Sequence, residues 1–371
     1  MTNYNSFNPN RLRFAREARA FTIKKLSEEL HISAKTLSIY ENGQLEPSKD
    51  DLLNSLSNIL QFPIDFFFMD DVISLEKTIV SFRSLARMSA STRNASLCSG
   101  RLALEFIGWV ENKIELPPNS IPDYRYTDPE AAALKLRTQW TIGDRPIKNL
   151  IHLLEAKGVK VFSLNRATFD MDAYSFWIEN KAFIFLNTIK SVERSRFDTA
   201  HELGHLVLHK HGAPSGKMAE IEANRFASAF LMPESDIRHR AIQYISLSDV
   251  IKLKTCWLVS AAALIRRLKD LSIITEWHYN RLNIDLSSAG FRAKEPDPIS
   301  IEYRERSKLI PMIFKLLREE GITKGMVSNA LGIYQKDLDD LFFNLALTGI
   351  EGGASTNPND GHRNQPNLKL I

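Results

Sequence analysis

Two histidines four residues apart, His201 and His205, constrain the fold of this chain more than any other feature of its sequence. On an α-helix, residues i and i+4 lie on one face in adjacent turns, so the imidazoles of His201 and His205 can reach the same point there. The surrounding residues are apolar, including Leu203 and residues 206–208. The spacing therefore predicts a buried helix over residues 192–209, with both histidines on one side.

Glu202 lies directly after the first histidine, where its carboxylate can reach a metal-bound water instead of the metal. Two imidazoles, an open coordination position and a carboxylate base are the requirements of a zinc hydrolase. On this reasoning His201 and His205 bind Zn2+, and Glu202 acts as the general base. The alternative, a surface helix with incidental histidines, disagrees with the apolar surroundings.

The third zinc ligand is less constrained by the spacing. His209 lies eight residues after His201, which is about 12 Å along a helix and too far for both to bind one ion. His211 stands six residues after His205, as in longer zinc-protease motifs, but Leu208 replaces the turn-forming glycine of those motifs. We therefore interpret His209 as a residue that supports the site, lies at the helix end or is a plain surface residue.

Two glutamates on the next predicted helix, residues 220–231, remain as candidates for the third ligand. Helical spacing groups Glu222 with Phe226 and groups Glu220 with Ala227. Both faces of this helix are mixed in character, so periodicity does not separate Glu220 from Glu222.

Residues 128–233 resemble the ImmA/IrrE family of metallopeptidases. The matching stretches, in the family's order, are Pro146-Ile147, Leu153-Leu154-Glu155, residues 158–161, residues 194–197, residues 200–205, residues 222–227 and residues 231–233. The resemblance implies a zinc-dependent endopeptidase that cleaves a regulatory protein, often a DNA-bound repressor. It also implies that the third zinc ligand is the glutamate that opens the Glu-Ala-Asn segment, which is Glu222 here.

The pattern of the first 70 residues predicts four or five short helices. The first part of this segment is basic and its last part is acidic. Residues 1–40 carry seven Arg and Lys against three Glu, whereas residues 41–71 carry one Lys against seven Asp and Glu. Thr22 can cap one helix, and Ser33 can cap the next helix after a short turn. A helix, a turn and a second helix with one-sided positive charge suit docking on a phosphate backbone.

Residues 9–68 resemble the XRE (lambda-repressor-like) family of helix-turn-helix domains. The residues that carry the resemblance are Leu12-Arg13, Leu26, Leu30, Ile32-Ser33, Thr36-Leu37, Glu41-Asn42-Gly43, Pro47 and Asp65-Phe66-Phe67. The sequence departs from the family at His31, where glycine is usual, and at Ile23, where a polar residue is common. The resemblance implies operator binding through six residues: Thr22, Ser33, Ala34, Lys35, Thr36 and Ser38.

The chain has 371 residues, enough for two or three domains. Its apolar fraction of 44% and charged fraction of 25% are those of a globular protein. It contains no apolar run long enough for a transmembrane helix, and residues 1–19 lack the apolar core of a secretory signal. Two cysteines, Cys98 and Cys256, are too few for a disulfide framework. We therefore expect a cytoplasmic protein with no membrane partner.

The predicted fold class is multidomain, with an all-α helix-turn-helix N-terminal domain, an α+β zincin-like peptidase domain with a small sheet, and a helical C-terminal region. The predicted boundaries are residues 1–70 for the helix-turn-helix domain, 71–120 for a helical linker, 121–290 for the peptidase domain, 296–350 for the C-terminal helices and 351–371 for a disordered tail. Residues 248–268 and 323–342 also show helix-turn-helix spacing. We interpret both segments as ordinary helical-hairpin packing.

These features together predict a DNA-binding transcriptional regulator with zinc-dependent endopeptidase activity. Its expected partners are an operator DNA and one protein substrate, a repressor or antitoxin of a prophage, mobile-element or stress circuit. The oligomeric state stays open, with a homodimer as one option. One alternative is a non-enzymatic transcription factor or antitoxin whose zinc domain is a sensor or partner-binding module. Another is a metal-dependent hydrolase of a small substrate.

Overall fold

A computed structural model describes residues 6–47, 50–72, 89–164, 171–210, 216–241, 244–292, 294–296, 298–343, 345–346 and 368–370. Helices dominate these residues, and a small sheet lies in the middle of the chain. The helices in this part of the chain are all too short or too polar to cross a lipid bilayer.

Short helical segments with tight connections form the N-terminal domain. They are α1 (Pro9–Ala18), α2 (Ile23–Glu29), α3 (Ala34–Glu41), α4 (Asp50–Leu60) and a 3-10 turn (Ile64–Phe68). The side chains of Thr22 and Ser33 accept hydrogen bonds from the backbone N of Lys25 and Thr36, so both predicted caps form. His31 takes a φ of 54° in the turn before α3, a conformation that favours glycine.

The described residues of the predicted linker from 89 onward pack into a hydrophobic core. Helix α5 (Ala90–Glu111) buries a face that includes Leu97, Phe106 and Val110. This face belongs to one hydrophobic cluster with the N-terminal and C-terminal helices. A helix buried on this scale is an element of a core rather than a spacer. Residues 73–88 of the predicted linker lie outside the described residues.

The predicted disordered tail does not hold for the end of the chain. Strand β1 (Ile114–Glu115) pairs antiparallel with a short strand at Lys369–Leu370, which we call β5. The backbone hydrogen bonds of this pair anchor residues that composition alone assigns to a tail. Residues 351–367 lie outside the described residues.

The middle domain combines helices with a three-stranded sheet. Before and within the sheet the elements are α6 (Pro129–Gln139), α7 (Leu150–Ala156), β2 (Lys160–Ser163), β3 (Ala173–Ile178) and β4 (Lys181–Leu186). The helices that follow are α8 (Val192–Leu208), α9 (Lys217–Leu231), α10 (Glu234–Arg240), α11 (Leu247–Leu253), α12 (Ala261–Asp270) and α13 (Glu276–Ser288). The strand order is β2-β4-β3, with β2 parallel and β3 antiparallel to β4.

This sheet separates two hydrophobic cores. Side chains alternate along a strand, so Phe183 and Phe185 of β4 lie on one side and Ile184 lies on the other. The aromatic side packs against α5, with the rings of Phe162 and Phe106 centred 6.4 Å apart. The opposite side belongs to the cluster that contains the buried residues of α8 and α9. Helix α8 is therefore fixed over one face of the sheet.

Helices α8 and α9 pack closely at Gly204. A Cβ atom at this position would lie 3.1 Å from Phe226 Cδ1 and 3.2 Å from Ala223 Cα. A larger residue would force the two helices apart. The missing side chain thus lets the first turn of α9 lie beside His201 and His205.

Three further helices follow the middle domain, namely α14 (Leu309–Glu319), α15 (Lys324–Ala330) and α16 (Gln335–Asp340). Glu155 of α7 holds the start of α14, since its Oε2 accepts hydrogen bonds from Lys308 N at 2.9 Å and Leu309 N at 3.0 Å. Arg19 of the N-terminal domain pairs with Asp337 of α16 at 2.6 Å. The predicted multidomain fold class is confirmed, and its parts are in direct contact.

Residues 248–268, the first of the two additional segments with helix-turn-helix spacing, span α11 and α12. A 3-10 turn at Lys254–Cys256 extends α11 before the chain turns at Leu258, where φ is 55°. The pair packs into the core of the middle domain through Val250 and Leu264. This agrees with its interpretation as a packed helical hairpin.

Candidate functional site

Helix α8 carries the two histidines and the glutamate that the sequence singles out. The helix predicted over residues 192–209 is observed as Val192–Leu208, with Ser191 as its N-cap and His209 as its C-cap. His201 Nε2 and His205 Nε2 lie 3.1 Å apart, so the i, i+4 spacing does bring both imidazoles to one place.

Glu220, in the first turn of α9, completes a cluster with these histidines. Its Oε1 lies 3.6 Å from His205 Nε2, and its Oε2 lies 3.8 Å from His201 Nε2. One ligand atom from each residue lies within 4.8 Å of the others. Zinc bonds of about 2.0–2.2 Å at tetrahedral angles put neighbouring ligand atoms about 3.3 Å apart. Two imidazole nitrogens and one carboxylate oxygen at these separations fit a zinc ion.

Glu222, the third ligand that the family resemblance implies, does not face this cluster. Its Oε2 lies 2.9 Å from His209 Nε2 instead. Two residues turn a helix by about 200°, so Glu220 and Glu222 cannot both point at His201 and His205. The structure therefore differs from the expectation for Glu222, because Glu220 is the glutamate that faces His201 and His205. His211 lies outside the described residues.

Both histidines have a hydrogen-bond partner on the side away from the cluster. His201 Nδ1 lies 3.1 Å from Asn224 Oδ1, and His205 Nδ1 lies 2.9 Å from His209 Nδ1. When each Nδ1 carries the proton and donates it, each Nε2 keeps a lone pair for a metal. Burial, and then the neighbouring imidazole of His205, lower the pKa of His201 and favour this neutral form.

Glu202 is buried next to the cluster. Its Oε2 accepts a hydrogen bond from Ser175 Oγ of β3 at 2.6 Å. Burial raises the pKa of Glu202 to about 7, while the nearby His205 and the hydrogen bond from Ser175 act in the opposite direction. A carboxylate with a pKa near 7 can accept a proton and return it at neutral pH.

The cluster lies in a cleft of about 230 Å³. The residues that line this cleft are Asp172, Ala173, Arg194, Phe197, Asp198, His201, Glu202, His205, Glu220 and Asn224. Arg194 is exposed and pairs with Asp172 at 2.8 Å. Burial raises the pKa of Asp198, which stands one helical turn before Glu202. The cleft thus combines a buried acidic and imidazole floor with a charged side that reaches solvent.

The six residues expected to contact DNA lie on α2 and α3 or cap these helices. Four of them are exposed, and Thr36 and Ser38 are partly buried; the exposed residues are Thr22, Ser33, Ala34 and Lys35. The hydroxyl of Ser33 accepts from Thr36 N at 3.0 Å and shares a second hydrogen bond with the hydroxyl of Thr36, at 2.7 Å. The structure therefore keeps the predicted DNA-facing residues accessible.

Sequence reasoning missed two residues of the metal cluster's surroundings. Asn224 follows Glu220 by four positions on a helix, so the same i, i+4 rule that found the histidines could have placed it beside them. Ser175 gives no such signal, because it comes from β3 and reaches Glu202 only through the packing of α8 on the sheet.

Two family models match this sequence. Residues 154–269 match the IrrE N-terminal-like domain of a peptidase family, and residues 10–69 match a helix-turn-helix domain. A comparison with curated proteins gave no match. The first match contains His201, His205 and Glu220, and the second contains both cap residues and α3. The chain therefore joins an XRE-like helix-turn-helix domain to an IrrE/ImmA-like domain of metallopeptidase type.

Proposed function

We propose that this protein is a DNA-binding regulator with zinc-dependent endopeptidase activity, and that His201, His205 and Glu220 are its zinc ligands. The convergence of their three ligand atoms beside the buried carboxylate of Glu202 is the observation that carries this proposal. A zinc ion bound there would supply a Lewis acid for the peptide carbonyl and lower the pKa of the attacking water.

The side chains around the cluster provide the proton transfers and the orientation. Glu202 takes the proton of the attacking water and passes it to the leaving amine, because its carboxylate lies beside the three ligand atoms. Ser175 fixes one oxygen of this carboxylate, and Asn224 fixes the ring of His201. Each of these contacts keeps a reacting or ligating group in place before substrate arrives.

A polypeptide is the substrate class that the cleft favours. Its charged side reaches solvent at Arg194, whereas a small substrate would call for an enclosed pocket. The attached helix-turn-helix domain would bring the peptidase to proteins bound near its operator. A DNA-bound repressor or an antitoxin in the cytoplasm is therefore the substrate that we propose.

The DNA contacts that we propose come from α3 and the two caps. Lys35 supplies the positive charge for a phosphate or a base, and the hydroxyls of Thr22 and Ser33 donate to phosphate oxygens. Ala34, Thr36 and Ser38 stand on or near the side of α3 that faces the groove in this layout.

Zinc content and cleavage, measured on matched variants, test the peptidase proposal. We expect purified wild-type protein to hold about one zinc per chain, and His201→Ala and Glu220→Gln to lose it. Glu202→Gln should keep the zinc but stop cleavage, because it removes the base without removing a ligand. Mass-spectrometric mapping of new protein N-termini in cells that express each variant measures the cleavage.

Two results would contradict this proposal. One is wild-type protein that binds no zinc after loading with the metal. The other is a set of new N-termini that is the same for Glu202→Gln as for wild type, because the cleavage would then not depend on the proposed base.

A further inference from the structure

The C-terminal helices α14 to α16 repeat the N-terminal helices α1 to α3 at a constant offset of 301 positions. Thr323 corresponds to Thr22, and each caps the second helix of its set. Thr22 Oγ1 accepts a hydrogen bond from Lys25 N at 3.1 Å, and Thr323 Oγ1 accepts one from Met326 N at 3.2 Å. The same cap therefore forms at the same place in both sets.

The turn between the second and third helices also repeats. Ile32 N donates to Ser27 O at 3.0 Å, and Ile333 N donates to Ser328 O at 3.0 Å. These four residues obey the same offset. Residues 309–342 thus have the layout of a second helix-turn-helix unit, which replaces the interpretation of residues 323–342 as an ordinary helical hairpin. The family match covers residues 10–69.

The second unit rests against the first. Gly332 stands in its turn with a φ of 64°, and a Cβ atom there would lie 3.5 Å from Phe66 Cδ2 and would collide with Met69 Sδ. Asp337 of α16 accepts two hydrogen bonds from the Arg19 guanidinium, at 2.6 and 2.9 Å. The third helix of the second unit is therefore tied to the first unit by a half-buried bidentate ion pair.

The positions that would read DNA differ in charge between the two units. Asp337 stands where the first unit has Thr36, and Asp339 stands where it has Ser38. Tyr334 occupies the N-cap of α16 but makes no side-chain cap hydrogen bond. Asp337 is paired with Arg19 and Asp339 with Lys324, so neither position offers a hydrogen-bond donor to a phosphate, and a tyrosine replaces the N-cap serine of the first unit.

We propose that residues 309–342 are a helix-turn-helix unit that does not read DNA and instead forms the seat for the unit that does. The contacts described above between the two units involve Arg19, Phe66 and Met69 of the first unit. Lys35 on α3 stays exposed. This assignment rests on the proposed function of α3 as the DNA-contacting helix. Each chain then offers one DNA-reading helix, held by its own C-terminal repeat.

The two lysines at corresponding positions, Lys35 and Lys336, provide a matched test. Both are exposed, so alanine at either position should leave the fold intact. Binding of the full-length chain to random-sequence 30-bp DNA duplexes is measured over a range of salt concentrations. We expect Lys35→Ala to weaken binding and to reduce the slope of log affinity against log salt by about 1. Lys336→Ala should leave affinity within about twofold.

If Lys336→Ala lost as much affinity as Lys35→Ala and reduced the salt slope by the same amount, the inference would be overturned, because the second unit would then contact DNA. Unchanged binding in Lys35→Ala would instead refute α3 as the DNA-contacting helix, which is the earlier proposal. The two failures are therefore distinguishable.

The seat itself is tested by the pair of Arg19 and Asp337. Arg19→Lys and Asp337→Asn are mild changes that each remove the bidentate geometry. Each should lower the midpoint of urea unfolding, and the double variant should be no less stable than the worse single variant. If the shifts in the urea midpoint were fully additive, Arg19 and Asp337 would not stabilise each other, and the proposed support of the first unit by the second would be overturned.

Discussion

His205 is supported by a chain of two hydrogen bonds that runs from α8 to α9. Its Nδ1 lies 2.9 Å from His209 Nδ1, and His209 Nε2 lies 2.9 Å from Glu222 Oε2. Both hydrogen bonds form when His205 donates its Nδ1 proton to His209 and His209 donates its Nε2 proton to Glu222. Burial lowers the pKa of His209, which keeps this ring neutral and able to accept. Glu222, the glutamate of the Glu-Ala-Asn segment, is thus connected through the imidazole of His209 to that of His205.

The hydrogen bonds from His205 through His209 to Glu222 predict how zinc affinity responds when one of these side chains is removed. His209→Ala and Glu222→Gln should each weaken zinc binding by about 10–100-fold, because each releases the ring of His205. The double variant should be no weaker than the worse single variant, since the two residues act in series. Competition with a zinc-binding dye measures the dissociation constants.

Glu220→Gln is the control for this prediction, and its loss of affinity should exceed both others because it removes a ligand. If Glu222→Gln lost as much as Glu220→Gln while His209→Ala stayed at wild type, Glu222 would be a ligand, as the family resemblance implies.

At the level of secondary-structure elements, a buried carboxylate joins two domains at the start of α14. Glu155 accepts hydrogen bonds there from Ser307 and from the backbone N of Lys308 and Leu309. A negative charge near a helix N-terminus is favourable, but burial has the larger effect and raises the pKa of Glu155 to about 7. The folded chain therefore holds a proton on Glu155 more tightly than the unfolded chain does.

The raised pKa of Glu155 predicts a pH dependence of stability. Because the folded chain binds this proton more tightly, protonation of Glu155 stabilises the fold by about 3 kcal/mol below about pH 4.5. This contribution is lost as the pH rises through about 7. Glu155→Gln keeps the size of the side chain but does not titrate. Between pH 4.5 and 7 the free energy of unfolding of wild type should therefore fall by about 3 kcal/mol more than that of the variant. Urea unfolding at several pH values measures the difference, and parallel curves would contradict it.

The sequence predicts single helices better than it predicts their relation to each other. Helix α6 begins at Pro129 because two local features of the sequence agree there, namely the cap from Asp128 and a proline at the first helical position. Spacing also placed His201 and His205 on one face. The choice between Glu220 and Glu222 depends on how α9 is rotated about its own axis. That rotation is fixed by the contact at Gly204, which is tertiary packing and leaves no mark in the periodicity of α9.

At the level of the whole molecule, aromatic rings join parts of the chain that the predicted boundaries separate. Phe342 of the C-terminal region lies 5.1 Å from Phe106 of α5 and 5.9 Å from Phe162 of the sheet, between ring centroids. All three side chains are fully buried. The three-stranded sheet therefore faces a core that α5 and the C-terminal helices share, and the predicted boundaries near residues 120 and 296 do not separate independent cores.

Removal of one of these rings should destabilise the whole chain. Phe342→Ala should cost about 3–5 kcal/mol, since it leaves a cavity where three regions meet. Unfolding followed by urea should remain one transition at a lower midpoint. Tyr334→Ala, at a side chain that is 45% exposed, is the matched control and should change stability by less than about 0.5 kcal/mol. A separate early transition confined to the C-terminal helices would show that their core is independent.

The pairing of Arg19 with Asp337 has a consequence for biosynthesis. The two residues are 318 positions apart, so the N-terminal unit leaves the ribosome long before its seat exists. At about 5–20 residues per second, that interval is roughly 15–60 s. Throughout it, the N-terminal helices can fold locally, but the surface around Arg19 and Phe66 stays uncovered. A nascent chain would thus present a DNA-binding unit before it carries a finished peptidase domain or the seat that orients it.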